Sequence, residues 1–381
     1  LCCVAVAAIA AFLYANNGVF LIDATMEAAP LLHHREVFKR DENIKIALPT
    51  INLSDCTVKA PLNDASYSRK DEKPDCTTKN FLEVMEQEQF LPSGGEWELP
   101  VNGFSEAKYI PNFCQPLKEL RLKSCLLQRN WKRVLSLGDS IGKRRWLGLR
   151  VLLEAHGFKC TVERTEKFQE LKDGGYPVDP SYFHAKYPDM KLTTHIRHCR
   201  TCGGRYATCK NGKFVVNIEH LGLAGLDDDT ITQPPLYNKT LEFYFKSYLK
   251  DDPPDLVIIG PAFIHEHFTP LEESYEYLQT LVSMMERLVP RDSDVLWMPA
   301  TYSWKYDAKL CNQKLFALNH ALFDRLKSRF LNESDKWHAM FDEQSLTCPL
   351  DSLRLDGVHF QHIYYETMMQ LYGYFFCQSY S

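Results

Sequence analysis

Three regimes of hydrophobic and polar patterning divide the chain. From Leu1 to Tyr14 the residues "LCCVAVAAIAAFLY" are all apolar, and "ANNGVFLI" extends the run weakly to Ile22. Between 23 and 105 polar, Pro and Gly residues break any period, as in "KDEKPDCTTKN" and "LPSGGEWELP". That pattern predicts an irregular stem, with Cys56 and Cys76 as a candidate pin. From Tyr109 onward, short apolar runs alternate with segments of helical period.

In this third regime "RVLSL" reads as a short buried strand, followed by "IGKRRWLGLRVLLEAHGF" as an amphipathic helix with Trp146, Leu149, Leu152 and Leu153 on one side. "KFVVNIEHL" is a second strand, and "DLVIIG" (Asp255 to Gly260) is the clearest buried one. A helix follows in "LEESYEYLQTLVSMMERLV", with Leu271, Tyr275, Leu278, Val282 and Met285 in phase. "DVLWMPA", "NQKLFALNHALFDRLKSRF", "WHAMFD" and "IYYETMMQLYGYFF" continue the alternation as strand, helix, strand and helix. Strands alternating with helices predict an α/β fold, a three-layer α/β/α sandwich on a central, mostly parallel sheet. Ligands of such sheets sit at the carboxyl ends of the strands. The expected organisation is an N-terminal signal or signal-anchor segment (1–22), a luminal stem (23–105) and one large domain (106–381).

Composition changes this picture in one respect. The chain has 381 residues, 24% charged, with a formal net charge of -5, so nothing argues for nucleic acid as a partner. Of its 13 cysteines, only Cys2 and Cys3 lie in the apolar start; the rest are spread from Cys56 to Cys377. That usage points to an oxidising compartment and several disulfides. Sequons at Asn52, Asn238 and Asn332 point the same way. The apolar start is shorter than the roughly 20 residues of a full span and reads as part of a longer signal-anchor or signal peptide. The expected setting is a type II membrane protein of the Golgi or another secretory lumen, tethered or released by cleavage in the stem. In "HIRHCRTCGGRYATC" the residues Cys199, Cys202, Cys209 and a histidine could form a Cys3His zinc set. The single C-x2-C lacks a second knuckle, and an oxidising lumen favours disulfides, so a disulfide-pinned insertion is expected and no metal.

The chemistry centres on "RVLSLGDSIGKRRW". Asp139 or Ser140 at a strand-to-helix junction is a natural helix cap. A serine becomes a nucleophile only with an imidazole to take its proton and an acceptor to hold that imidazole's tautomer. "LRLDGVHF" supplies both, with Asp356 three residues before His359. A second D-x-x-H, Asp335 to His338, follows the Asn332 sequon directly and is expected at the amino end of the sheet, away from Ser140. Asp356 and His359, between the last strand and the last helix, fall on the carboxyl side with Ser140.

"VLSLGDS" and "DGVHF", in this order, resemble the SGNH (GDSL-type) hydrolase superfamily. The lead-in "YIPNFCQPLKELRLKSCLLQRNWKRVLSLGDS" is closer to its PC-esterase branch, which includes neurexophilin and PC-esterase domain proteins, trichome-birefringence-like proteins and the sialic-acid O-acetyltransferase. The resemblance covers about Tyr109 to Tyr380 and implies a flavodoxin-like sandwich. It implies Ser140 as acyl-accepting nucleophile, His359 as general base and Asp356 as its orienter, moving O-acyl groups, usually acetyl, on or off carbohydrate hydroxyls. The co-substrate would be acetyl-CoA or another acyl donor, with no bound cofactor. The partners would be a glycoconjugate and, through the N-terminal segment, the membrane.

The superfamily supplies its other oxyanion donors from a Gly N–H and a G-x-N-D asparagine. "IIGPAFIHEH" keeps Gly260 but has no such Asn; His265 or His267 could take part, or could be loop residues. Gly138 and Asp139 frame the serine, and Lys143, with Arg144 and Arg145, is either a substrate-anion contact or an ordinary basic helix face. The alternative reading of the whole is a non-catalytic glycan- or protein-binding protein on the same scaffold.

Overall fold

A computed structural model gives the fold. It describes residues 73–74, 76, 78–88, 95–98, 108–115, 121–162, 205–222, 245–246, 249–261, 270–304, 308–332, 334–339 and 341–378. Along the chain, α1 (Thr78–Glu88) precedes a hairpin of β1 (Gly95–Glu98) and β2 (Lys108–Pro111), then α2 (Leu122–Gln128). Next come β3 (Arg133–Gly138), α3 (Ser140–Ala155), β4 (Lys159–Val162), β5 (Arg205–Asn211), β6 (Phe214–Gly222) and β7 (Leu256–Ile259). The last part holds α4 (Leu271–Leu288), β8 (Asp294–Trp297), α5 (Ala308–Phe330), β9 (Trp337–Ala339), the short α6 (Glu343–Thr347) and α7 (His362–Gln378).

Seven strands form one sheet in the order β4-β5-β6-β3-β7-β8-β9, parallel from β6 to β9 and antiparallel where β4, β5 and β6 pair. The α/β fold with a mostly parallel central sheet flanked by helices is the expected one. Every residue of β3, β7 and β8 is buried, the continuous apolar run of strands covered on both faces. After β3 the chain passes to the edge at β4 and returns through β5 to β6 beside β3, and then crosses to β7 on the other side. The carboxyl end of β3 is therefore the topological switch point, where parallel sheets open a crevice.

The strand expected in "KFVVNIEHL" is β6, and its hairpin partner β5 was hidden in the stretch that reads as an insertion. Its sequence signal is "NGK": Asn211 pairs with Phe214 across a turn in which Gly212 takes φ 63°, a backbone region that suits glycine. In α4 the buried face is wider than the predicted stripe. Tyr277, Leu281 and Met284 join Leu278, Val282 and Met285, whereas Leu271 and Tyr275 stay half-buried.

Two elements within the span read as stem pack into this same core. Phe81, Val84 and Met85 of α1 are buried, and the Phe81 ring lies 5.6 Å from Phe341 and 5.1 Å from Phe375. Cys76 bonds Cys114, so it is not paired with Cys56, which lies outside the described residues. Cys125–Cys377 and Cys160–Cys209 are further disulfides. The second takes Cys209 out of any zinc set; Cys199 and Cys202 lie outside the described residues. These disulfides among the described residues are consistent with an extracellular or secretory-pathway domain. Among the described residues no helix is long and apolar enough to cross a membrane.

Helices α3 and α7 pack side by side through Gly148. A Cβ there would lie 2.8 Å from the Tyr365 carbonyl oxygen and 3.2 Å from the Glu366 nitrogen, both backbone atoms of α7. Alanine at 148 would gain about 1 kcal/mol of helix propensity. It would also force two helices apart, a cost of about 1–3 kcal/mol in a packed core. Gly148→Ala is therefore expected to lower the urea midpoint of unfolding; an unchanged or raised midpoint would mean the helix contact yields freely.

Candidate active site

Strand β3 ends at Gly138, and α3 starts two residues later. Asp139, not Ser140, caps that helix: its Oδ1 accepts from the N–H of Ile141 (2.8 Å) and Gly142 (3.3 Å). Ser140 occupies the first helical position with its hydroxyl directed to another partner. Gly138 is a point of close approach, since a Cβ there would meet Gly142 Cα at 3.0 Å and Gly260 O at 3.2 Å.

That partner is His359. Its Nε2 lies 2.6 Å from Ser140 Oγ, across 219 positions of sequence. Its Nδ1 lies 2.7 Å from Asp356 Oδ2. Asp356 and His359 sit in a loop ahead of α7, not in the helix. An isolated bridge between Arg354 and Phe360 closes it, with Leu355 N–H on His359 O (2.8 Å) and Gln361 N–H on Leu353 O (2.8 Å). Asp356 Oδ1 turns the loop by accepting from the N–H of Val358 and His359, both at 2.9 Å. The loop is also tied at Gly357 to the segment that follows β8, where Trp304 N–H donates to Gly357 O at 2.8 Å.

The two oxygens of Asp356 thus do different work. Burial alone would raise its pKa, but the Val358 N–H, the His359 ring and the His359 N–H together hold it down at about 2. An ionised carboxylate only accepts, so Nδ1 carries the proton and Nε2 presents a lone pair to the serine hydroxyl. This geometry can take a proton from an attacking hydroxyl and stabilise the imidazolium that results. Among the described residues no acceptor takes the Ser140 N–H, which lies at the positive end of α3 and is positioned to receive a developing negative charge.

Other residues expected at the site fare differently. The Gly260 N–H donates to Leu137 O (2.8 Å), continuing the β3–β7 ladder, so it is not an oxyanion donor in this arrangement. Its lack of a side chain makes room for Arg145, whose Nη1 would lie 2.8 Å from a Cβ at 260. His265, His267, Asn52 and Asn238 lie outside the described residues. Asn332 is exposed, and its side chain accepts from the Ser334 N–H and hydroxyl. Lys143 and Arg144 are half-buried on α3, one turn beyond Ser140. Asp335 and His338 do not pair: Asp335 binds Arg329 (2.9 Å), and His338 lies 3.1 Å from Asp294, the first residue of β8, at the amino end of the sheet.

Arg145 leaves the basic face assigned to it. It is buried, donating from Nη2 to Glu343 Oε2 (2.7 Å) and to Pro299 O (2.8 Å), and from Nη1 to Met298 O (3.4 Å). Glu343 also accepts from Tyr364 Oη (2.6 Å) and Tyr372 Oη. Burial would lower the Arg145 pKa, but Glu343, with Tyr372 and Tyr364 beside it, reverses the sign and keeps the guanidinium charged. The cluster joins the helix of Ser140, the end of β8 and the helix that follows His359. Its signal was legible: Arg145 falls in the buried stripe of Ile141, Gly148 and Leu152, where a charge needs a partner.

Fold and side chains together define an α/β protein with a serine–histidine–aspartate constellation at its switch point. No protein-family model matches the chain, and no curated protein matches it.

Proposed function

We propose that the chain is a serine-dependent acyl-transfer enzyme that moves O-acyl groups, acetyl above all, on or off carbohydrate hydroxyls in the secretory pathway. The observation that carries this reading is the 2.6 Å contact between Ser140 Oγ and His359 Nε2, with Asp356 on the far nitrogen. Ser140 Oγ attacks the acyl carbonyl carbon while His359 takes its proton. The Ser140 N–H stabilises the tetrahedral oxyanion, and His359 returns the proton to the departing group. A glycan hydroxyl or water, deprotonated by the same imidazole, then releases the acyl group from the serine.

The donor is acetyl-CoA or another acyl carrier bound as co-substrate. The resemblance to PC-esterases supports carbohydrate as acceptor, and the disulfides support a lumen. A Golgi protein tethered through residues 1–22 suits transfer during glycan synthesis better than hydrolysis.

A fluorophosphonate probe tests the reading directly, because it reacts only with an activated serine. The expected result is one labelled site, mapped by peptide mass to Ser140. Incubation with acetyl-CoA and a glycan panel, and separately with acetylated glycans, then separates transferase from esterase. An unlabelled chain with native folding would favour the binding-protein alternative.

A further inference from the structure

At the far end of α3 from Ser140 lies a groove of about 480 Å³ on the outer face of β4 and β5. The 16 residues of α3 put it about 24 Å from the nucleophile. Lys159, Thr161, Thr208, Lys210 and Asn211 line it, and Gly157 and Gly212 leave its ends open. Register places these side chains in opposed pairs, Lys159 across from Lys210 and Thr161 across from Thr208. The alternate positions turn inward: Ala207 and Cys209 are fully buried, and the Cys160–Cys209 disulfide pins the register. The two lysines therefore cannot slip apart.

Like charges directly opposite on a sheet are destabilising, their Cβ atoms about 5 Å apart. No carboxylate is among the described residues lining the groove. This local excess of positive charge runs against a chain whose net charge is -5. Lysine on an edge strand deters aggregation, which accounts for Lys159 on β4. It does not account for Lys210, since β5 lies between β4 and β6.

We infer that this groove is a binding site for sulfate or carboxylate groups on a glycan chain, separate from the Ser140 site. Ammonium groups and threonine hydroxyls are the donors such anions need, and an ion between the opposed lysines relieves their repulsion. Carbohydrate as the carrier of the charge rests on the function proposed above; the anion preference rests on the groove alone. A chain held here and at Ser140 at once is retained by avidity.

The test uses the full chain and a variant carrying Lys159→Ser and Lys210→Ser, both at exposed side chains. Calorimetry measures binding of size-defined chondroitin sulfate and oligogalacturonate, with a neutral oligosaccharide and a poly-glutamate peptide as controls. Wild type is expected to bind at least one anionic oligosaccharide, more weakly as salt rises. The variant is expected to bind it about tenfold more weakly, or not at all, with fluorophosphonate labelling of Ser140 unchanged. The idea is overturned if wild type binds neither anionic oligosaccharide, if the variant binds as well, or if the peptide binds equally. Absent Ser140 labelling with intact groove binding would instead sink the catalytic reading and leave the anion site standing.

Discussion

Substituting Ser140 by Ala is expected to lower acyl-transfer or esterase turnover by about 10⁶-fold, and Asp356→Asn by about 10⁴-fold. The smaller loss has a specific origin. Asn at 356 keeps an oxygen for the Val358 and His359 N–H groups, so the loop retains its turn. Its amide nitrogen, however, cannot accept from Nδ1. The proton moves to Nε2, which then donates toward Ser140 and has no lone pair left to take the hydroxyl proton. Because the three groups act as a unit, Ser140→Ala combined with Asp356→Asn is expected to be no slower than Ser140→Ala alone. Steady-state kinetics on an acetyl ester, with circular dichroism to confirm folding, makes the comparison. Asp356→Asn within tenfold of wild type would mean that His359 does not depend on Asp356 for its tautomer.

The depressed Asp356 pKa adds a pH statement. With its carboxyl ionised down to about pH 2, this residue imposes no acid limb on activity above pH 3. Its contribution to stability has the sign of any lowered acid: present above the unfolded pKa of 3.8 and lost as pH falls toward about 2.

Arg145→Met is expected to destabilise the fold by about 3–5 kcal/mol, the usual cost of stripping one partner from a buried ion pair. Both side chains are at most 4% exposed, so the orphaned Glu343 carboxylate has no water to turn to. The donors to Met298 O and Pro299 O disappear as well. Adding Glu343→Gln is expected to recover a large part of the loss. The neutral amide removes the unpaired charge, keeps an oxygen for one of the two tyrosine hydroxyls and donates its N–H to the oxygen of the other. Urea unfolding of the single and double variants reads both values. A single-variant loss below about 1 kcal/mol would show that the cluster contributes little.

Gly260 belongs to the same cluster. The resemblance to SGNH hydrolases implies an oxyanion donor at this glycine; in space its N–H is spent on the ladder and its missing side chain accommodates Arg145. Sequence could not distinguish these roles, because both ask only for a small residue at that position. Asp139 and Ser140 were likewise interchangeable as caps until the Asp139 carboxylate was found on Ile141 and Gly142.

The order of strands and helices, and the side of the sheet on which Ser140 and the Asp356–His359 loop would lie, follow from local information alone. Apolar run length, helical phase and strand-to-helix junctions are properties of neighbours in the chain, and they sufficed for the five parallel strands β3, β6, β7, β8 and β9, but not for β4 and β5. Pairing was beyond their reach: that Cys76 joins Cys114, that Arg145 finds Glu343 198 positions away, and that Lys159 faces Lys210. Each of these depends on contacts between residues distant in sequence, which only the closure of the whole sheet and its covering helices brings together. The 2.6 Å between Ser140 and His359 is of the same kind. Local sequence put both residues at one rim, and the tertiary contacts that hold the His359 loop, its Trp304 N–H bond among them, bring them together.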